Sequence, residues 1–136
     1  MSHQCEILIV DDEPIVGERL KAFLVKDGHS VETFVDPAEA LNRLADKDFD
    51  IVISDIRMGE IDGVQVMERV LSKSPRTRVI MITGYATLEL ARESLTKGAF
   101  DFIAKPFKLK EIRKTISKAV ESLDPNGAKQ NKVTAA

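Results

Sequence analysis

The sequence has little of what would stabilise a small secreted domain or hold a zinc ion. Cys5 is the only cysteine among the 136 residues, so no internal disulfide can form. The cysteine and the 2 histidines do not stand at the spacing of zinc ligands. The first residues also lack the basic and then apolar layout of a signal peptide. We therefore expect a cytoplasmic protein without disulfides.

Long apolar stretches and an excess of positive charge are also missing. No stretch approaches the roughly 20 apolar residues that span a bilayer, so we expect no membrane segment. The 20 lysines and arginines stand against 22 aspartates and glutamates, and a net charge of −2 gives no positive field to hold nucleic acid. Direct nucleic-acid binding by this segment is therefore not expected. Glycine-rich nucleotide motifs are absent, which excludes a kinase or a P-loop protein.

Short runs of apolar, β-branched residues recur along the chain and predict strands that are buried on both faces. They cover residues 7–10, 31–34, 51–53, 79–82 and 100–103. The stretches between them carry apolar residues at helical spacing, for example Val16, Leu20 and Leu24. Regular alternation of strand and helix indicates right-handed crossovers and a parallel sheet with helices on both faces. The predicted fold class is therefore α/β, doubly wound.

Proline and glycine mark several helix ends in this pattern. Pro14 suits the first turn of a helix, and Gly28 and Gly98 suit the positions just after helices end. After residue 123 the helical periodicity is lost and few side chains could be buried. We expect one domain over residues 5–123, followed by a flexible tail or the start of a linker over residues 124–136.

Polar side chains follow several of the predicted strands. Asp11 and Asp12 follow the first strand, Asp55 the third, Thr83 the fourth and Lys105 the fifth. Open α/β sheets bind ligands outside the carboxyl ends of their strands, so these residues should converge there. Crowded carboxylates repel one another and call for a cation, and hard oxygen ligands favour Mg²⁺. The sequence therefore predicts a site for Mg²⁺, or for Mn²⁺, at this edge.

Asp55 is the best candidate for a nucleophile at that site. A carboxylate can attack phosphorus when a metal neutralises charge and other donors hold the phosphoryl oxygens. In the flavodoxin-like strand order 2-1-3-4-5, the third strand lies between the first and the fourth. Asp55 would then have Asp12 on one side and Thr83 on the other. Lys105 would bring a compact positive charge from one strand further out.

Several motifs occur in the order typical of one family, and the chain resembles the receiver domain of two-component response regulators, of the chemotaxis-receiver type. The motifs are IVDDE at 9–13, ISDIRM at 53–58, DG at 62–63, MITG at 81–84 and GAFDFIAKPF at 98–107. The resemblance covers residues 5–123. It implies a flavodoxin-like (βα)5 fold and a phosphoacceptor that receives a phosphoryl group from a histidine kinase or a histidine phosphotransfer protein.

The resemblance also implies a set of metal ligands. Asp12 and Asp55 would bind Mg²⁺ directly, Asp11 largely through water, and Arg57 through its backbone carbonyl, while Asp55 would be phosphorylated. Arg57 and Tyr85 stand at positions that vary in the family and are large enough to shield the phosphoaspartate. We expect them to affect its lifetime.

Further residues would bind the phosphoryl group and pass on the signal. By the resemblance, Thr83 and Lys105 bind the phosphoryl group, Phe102 is the switch aromatic, and the peptide bond before Pro106 is cis. The signalling surface would be the fourth helix, the fifth strand and the fifth helix. This surface would control a downstream effector domain or protein, and it could also support a phosphorylation-dependent dimer.

Other functions fit the same residues less well. A phosphatase of the haloacid dehalogenase type needs a second aspartate two residues after the first, but Arg57 follows Asp55 and Glu13 follows Asp11 at that spacing. We therefore expect a switch that catalyses only its own phosphorylation and dephosphorylation. A flavodoxin-like electron carrier would need a first loop that holds phosphate, and an acidic loop would repel it.

A degenerate receiver that acts as an unphosphorylated interaction module is the remaining alternative. Taken singly, the residues have ordinary explanations, because an aspartate can cap a helix and Phe102 can be a core residue. Their occurrence together favours the phosphoacceptor.

Overall fold

The computed structural model describes residues 4–56, 62–84 and 87–123. Within these ranges strands and helices alternate along the chain. The strands are β1 (Glu6–Val10), β2 (Ser30–Phe34), β3 (Ile51–Asp55), β4 (Arg78–Thr83) and β5 (Asp101–Ala104). The helices are α1 (Pro14–Lys26), α2 (Pro37–Asp46), α3 (Gly63–Lys73), α4 (Leu88–Thr96) and α5 (Leu109–Leu123).

The strands form one parallel sheet of order β2-β1-β3-β4-β5. This order confirms the predicted flavodoxin-like, doubly wound α/β fold. The register places Val10 of β1 beside Ser54 of β3, and Asp55 of β3 beside Ile82 of β4. The carboxyl ends of these strands therefore reach one edge of the sheet together.

The strand boundaries differ from the apolar runs by a few residues. β3 continues through Asp55 and β4 through Thr83, because backbone pairing extends into the polar residues at the sheet edge. β5 begins at Asp101, so the prediction of residues 100–103 was wrong by one residue at each end. Phe100 precedes the strand, although its backbone N–H donates to the Val79 carbonyl at 2.7 Å.

The core lies in two layers, one on each face of the sheet. Leu8 and Val10 of β1 face the layer that α2 and α3 cover, whereas Ile7 and Ile9 face the layer that α1 and α5 cover. This alternation follows from the two-residue period of a strand. Each large apolar side chain that is fully buried contributes about 1.5–3 kcal/mol. Two buried faces hold the strands rigidly and so fix the residues at their ends.

The predicted helix ends are confirmed. Pro14 is the first residue of α1, and Gly28 follows the end of that helix with a positive φ of 96°. Gly98 follows α4 with φ of 117°, in the left-handed region that favours glycine. A Cβ at Gly98 would also lie 2.8 Å from Leu71 Cδ1, so both backbone conformation and space require glycine here.

Some predictions concern residues outside the described ranges. Arg57, Tyr85 and residues 124–136 are among these, so the metal ligand at Arg57, the lifetime effect and the tail stay predictions. The domain boundaries at 5–123 also stay a prediction. In the part of the chain that the structure describes, no helix has the length and apolar character needed to cross a membrane.

Candidate functional site at the carboxyl edge of the sheet

The ends of β1, β3, β4 and β5 bring the predicted site residues to one edge of the sheet. Asp11 follows β1, Asp55 is the last residue of β3, Thr83 is the last of β4, and Lys105 follows β5. Each of these strands pairs with the next one in the sheet, so their ends lie side by side. The parallel topology therefore gathers residues that are distant in sequence.

Carboxylates dominate this edge. One oxygen from each of Asp11, Asp12, Glu13 and Asp55 lies within 4.8 Å of the others. Asp11 and Asp55 are buried, with 1% and 5% of their surface exposed, whereas Asp12 and Glu13 are exposed. The backbone N–H of Glu13 donates to Asp11 Oδ1 at 2.8 Å and fixes that carboxylate. The result is a compact acidic cluster that is half in the core and half in solvent.

Lys105 supplies positive charge to the acidic cluster. Its Nζ donates hydrogen bonds to Glu13 Oε1 at 2.9 Å and to Asp55 Oδ2 at 3.1 Å. It also forms an ion pair with Asp11 Oδ2 at 2.9 Å. Burial alone would lower the pKa of Lys105, but the close contacts with Glu13, Asp11 and Asp55 outweigh it, so the pKa is raised. The ammonium therefore stays charged throughout the physiological range.

The environment of Asp11 shows that the lysine alone does not satisfy the cluster. Burial raises the pKa of Asp11, and the contact with Lys105 and the Glu13 backbone N–H only partly oppose that rise. Asp11 Oδ2 is buried, and its ion pair with Lys105 Nζ at 2.9 Å lacks the geometry of a hydrogen bond. A buried carboxylate oxygen that accepts no hydrogen bond can serve as a ligand to a further cation.

The residues present fit a hard divalent metal ion. The cluster offers carboxylate oxygens, which are the ligands that Mg²⁺ and Mn²⁺ accept readily. Asp11, Asp12 and Asp55 could supply such ligands from two neighbouring strand ends. The additional backbone ligand expected at Arg57 lies outside the described residues.

Gly63 supports Asp55 through a close backbone approach that the sequence analysis missed. A Cβ at Gly63 would lie 2.2 Å from the Asp55 carbonyl oxygen and 2.9 Å from Ile56 Cα. The Gly63 N–H also donates to the Ile56 carbonyl at 2.7 Å. Glycine therefore allows α3 to begin directly against the end of β3. The only sign of this in the sequence was the Asp-Gly motif at 62–63, which did not show why position 63 must be glycine.

The predicted switch residues lie on the α4 side of the sheet. Thr83 is fully buried, and its carbonyl accepts from the Lys105 N–H at 2.8 Å. Phe102 is partly buried, pairs with Met81 in register and, like Leu90 of α4, packs against the core layer that α2 and α3 cover. The Lys105–Pro106 peptide bond is cis, the form that the resemblance implied.

The fold and the site together define a class: doubly wound α/β proteins with an acidic, lysine-containing site at the carboxyl edge of the sheet. The response regulator receiver domain family matches residues 7–117. The chain belongs to this family.

Known proteins of similar sequence support this family assignment. The regulatory protein AtoC of Escherichia coli K12 is 39% identical over 115 residues, which are 85% of this chain and 25% of AtoC. The response regulator protein PilR of Pseudomonas aeruginosa is 34% identical over 125 residues, 92% of this chain and 28% of PilR. The chain thus spans about a quarter of the length of the curated relatives it matches.

Solved structures show the same fold. The beryllofluoride-activated NtrC4 receiver domain dimer matches with a TM-score of 0.83 and 31% identity, covering 88% of this chain and 98% of that one. A CheY-like receiver domain protein from Methanospirillum hungatei matches with a TM-score of 0.82 and 30% identity, covering 88% and 97%. The described fold is therefore that of receiver domains.

Proposed function

We propose that this receiver accepts a phosphoryl group on Asp55 in a reaction that depends on Mg²⁺ or Mn²⁺. The observation that carries the proposal is the convergence of Asp55 with Asp11, Asp12 and Lys105 at one sheet edge. A degenerate receiver would have no need to keep a buried acceptor, an acidic pair and a lysine in contact. The arrangement therefore favours the phosphoacceptor over the interaction module.

The chain's own residues supply nucleophile and charge. A carboxylate oxygen of Asp55 attacks phosphorus, an O–P bond forms, and the N–P bond to the donor imidazole breaks with the electron pair leaving on nitrogen. Lys105 holds one phosphoryl oxygen through its ammonium, and the Thr83 hydroxyl holds another. The metal supplies neutralisation of negative charge when bound. Asp11, Asp12 and Asp55 are the residues that would hold it, together with the Arg57 carbonyl.

The proposed signal follows from the position of Thr83 beside α4. Drawing the Thr83 hydroxyl to the phosphoryl group changes the packing under α4, and Phe102 turns into the space released. Phosphorylation biases the two states only by the difference in its interaction energy with each. A change from 1:99 to 99:1 needs roughly 5.5 kcal/mol, which a few charge-assisted hydrogen bonds of about 1.5–3 kcal/mol can supply.

The expected partners follow from this chemistry. The donor is a histidine kinase or a histidine phosphotransfer protein, and the output surface comprises α4, β5 and α5. Several relatives are named as transcriptional regulators, so an effector that controls transcription is a candidate for the protein or domain that this surface contacts. The domain itself catalyses only its own phosphorylation and dephosphorylation.

Mass spectrometry of the intact protein tests the proposal. After incubation with Mg²⁺ and a small acyl phosphate, we expect one labile phosphoryl group on the wild type. Asp55→Asn and a chelator-treated sample should carry none. A wild-type protein that stays unmodified with both the small donor and a phosphohistidine protein would contradict the proposal. An adduct that persists in Asp55→Asn would place the acceptor elsewhere.

A further inference from the structure

The Lys105 ammonium has as many close acceptors as it has protons. An ammonium carries three N–H donors, and Nζ lies 2.9 Å from Asp11 Oδ2, 2.9 Å from Glu13 Oε1 and 3.1 Å from Asp55 Oδ2. Because three carboxylate oxygens already crowd the ammonium, a phosphoryl oxygen binds it by taking the place of one of them. Which carboxylate the ammonium leaves determines how easily the site accepts the phosphoryl group.

Burial distinguishes the three acceptors. The side chains of Asp11 and Asp55 are 0% and 7% exposed, so a carboxylate of either residue that loses the lysine has little water to replace it. The Glu13 side chain is 60% exposed and can exchange the ammonium for water at small cost. Glu13 is therefore the partner that the ammonium releases most readily.

The Glu13 side chain has no other structural task among the described contacts. Glu13 occupies the N-cap position of α1, but its side chain makes no capping hydrogen bond. Among the described residues, its side chain forms a hydrogen bond and ion pair with Lys105 alone, 92 positions away in sequence. The carboxylate therefore joins the start of α1 to the loop after β5, across the mouth of the acidic cluster.

We propose that Glu13 is a placeholder for the phosphoryl group: it occupies a hydrogen-bonding position on Lys105 and gives it up when a phosphoryl oxygen arrives. This inference rests on the proposed function of the same site. Glu13 is thus a positioning residue that keeps the ammonium at the mouth of the site in the resting protein. Its negative charge also helps to attract a divalent cation to the cluster.

The Glu13 carboxylate should strengthen the binding of a cation and weaken the binding of an anionic phosphoryl group. Removing the carboxylate leaves the ammonium free to bind a phosphoryl oxygen and removes repulsion of that group. It also removes a negative charge that attracts Mg²⁺ and leaves Lys105 to compete for Asp11 and Asp55. Exposed ion pairs of this kind change binding constants by about two- to fivefold.

Calorimetric titration of the intact chain separates these effects. Mg²⁺ is titrated first, and beryllofluoride, a phosphoryl mimic, is then titrated at saturating Mg²⁺. For Glu13→Gln we expect about two- to fivefold weaker Mg²⁺ binding and about two- to fivefold tighter beryllofluoride binding. Glu13→Ala should show the same signs. Glu18→Gln makes the same charge change at an exposed position of α1 and should match the wild type.

Beryllofluoride affinity decides the outcome. Binding that is unchanged or weaker in Glu13→Gln overturns the placeholder role, and so does equal tightening in Glu18→Gln, because that would be a general charge effect. If either of these results is found but the wild type still gains a phosphoryl adduct, the proposed function stands and only the placeholder role of Glu13 fails. If the wild type binds no beryllofluoride and gains no adduct, both fail together.

Discussion

At the scale of single residues, the close packing of Gly63 against the end of β3 leaves little room for substitution. Gly63→Ala would place a Cβ 2.2 Å from the Asp55 carbonyl oxygen, which is backbone and cannot move aside as a flexible side chain would. We expect the free energy of unfolding to fall by about 1–3 kcal/mol, the usual cost of overpacking. Displacement of Asp55 should also slow formation of the phosphoryl adduct. Chemical denaturation and intact-protein mass measure the two effects.

Gly84→Ala is the matched control, because nothing lies within 4 Å of a Cβ at that position. Gly84 stands just after β4 at the same sheet edge. Gly84→Ala should change the free energy of unfolding far less than Gly63→Ala does. Equal stability of Gly63→Ala and the wild type would contradict the close approach.

His29 gives the protein a predictable response to acid. The Cys5 N–H donates to His29 Nδ1 at 3.1 Å, so the imidazole must be neutral to accept it. Burial lowers the pKa of His29 below its usual value of about 6.5, although the nearby Asp27 opposes the shift. The unfolded chain therefore takes up a proton more readily than the folded protein. The stability from this group is complete above the unfolded pKa and is lost as the pH falls from there through the lower folded pKa.

Denaturation at a series of pH values tests this response. The wild type should lose more stability than His29→Asn between about pH 7.5 and pH 5.5, because asparagine can accept the Cys5 hydrogen bond without titrating. Carboxylates common to both proteins cancel in the comparison. Parallel stability curves for the two proteins would show that His29 does not titrate differently on folding.

At the scale of elements, α4 buries few of its residues against the rest of the domain. Ser94 is the only buried residue of α4, and its Oγ has no hydrogen-bond partner among the described residues. A buried hydroxyl without a partner costs about 1–3 kcal/mol. We expect Ser94→Ala to raise the free energy of unfolding by about 1 kcal/mol, since alanine also favours helix. Thermal unfolding of the two proteins measures the gain.

Ser122→Ala is the control for that prediction. Ser122 Oγ accepts from Arg78 Nε at 2.7 Å and donates to the Ala119 carbonyl at 2.7 Å, so its removal should lower stability. A destabilised Ser94→Ala would show that the hydroxyl finds a partner and helps to fix α4. Because α4 belongs to the proposed signalling surface, the shallow burial of this helix is consistent with a switch that moves it.

The elements that sequence predicted best are those with the strongest burial. Strands buried on both faces leave continuous β-branched runs, and the alternation with helical spacing determines a parallel sheet. Strand ends were less predictable, because pairing continues into polar residues such as Asp55 and Thr83. The motifs predicted which residues meet at the edge. They could not predict the Glu13–Lys105 hydrogen bond or the close approach of the Gly63 and Asp55 backbones. Both depend on distances between separate elements.

At the scale of the whole molecule, charge in the site is coupled to global stability. Lys105 is the ammonium within reach of Asp11 and Asp55, and both carboxylates are buried. Lys105→Met keeps much of the side-chain volume but removes this positive charge from those carboxylates. Without Mg²⁺, we expect the free energy of unfolding to fall by about 1–3 kcal/mol, less than for a fully buried pair because the lysine reaches solvent.

Mg²⁺ should reverse this loss and do so more strongly in Lys105→Met than in the wild type. A ligand at 100 times its Kd stabilises the folded state by about 2.7 kcal/mol, and the variant should reach that ratio at lower Mg²⁺ because no ammonium competes for Asp11 and Asp55. Chemical denaturation at a series of Mg²⁺ concentrations measures the stability without Mg²⁺ and the stability gained from it. Lys97→Met, which removes only an exposed pair with Glu93 at 3.5 Å, should behave like the wild type. If Lys105→Met is as stable as the wild type without Mg²⁺ and gains no more from it, then the lysine and the metal do not share these carboxylates, and the charge balance proposed for the site is wrong.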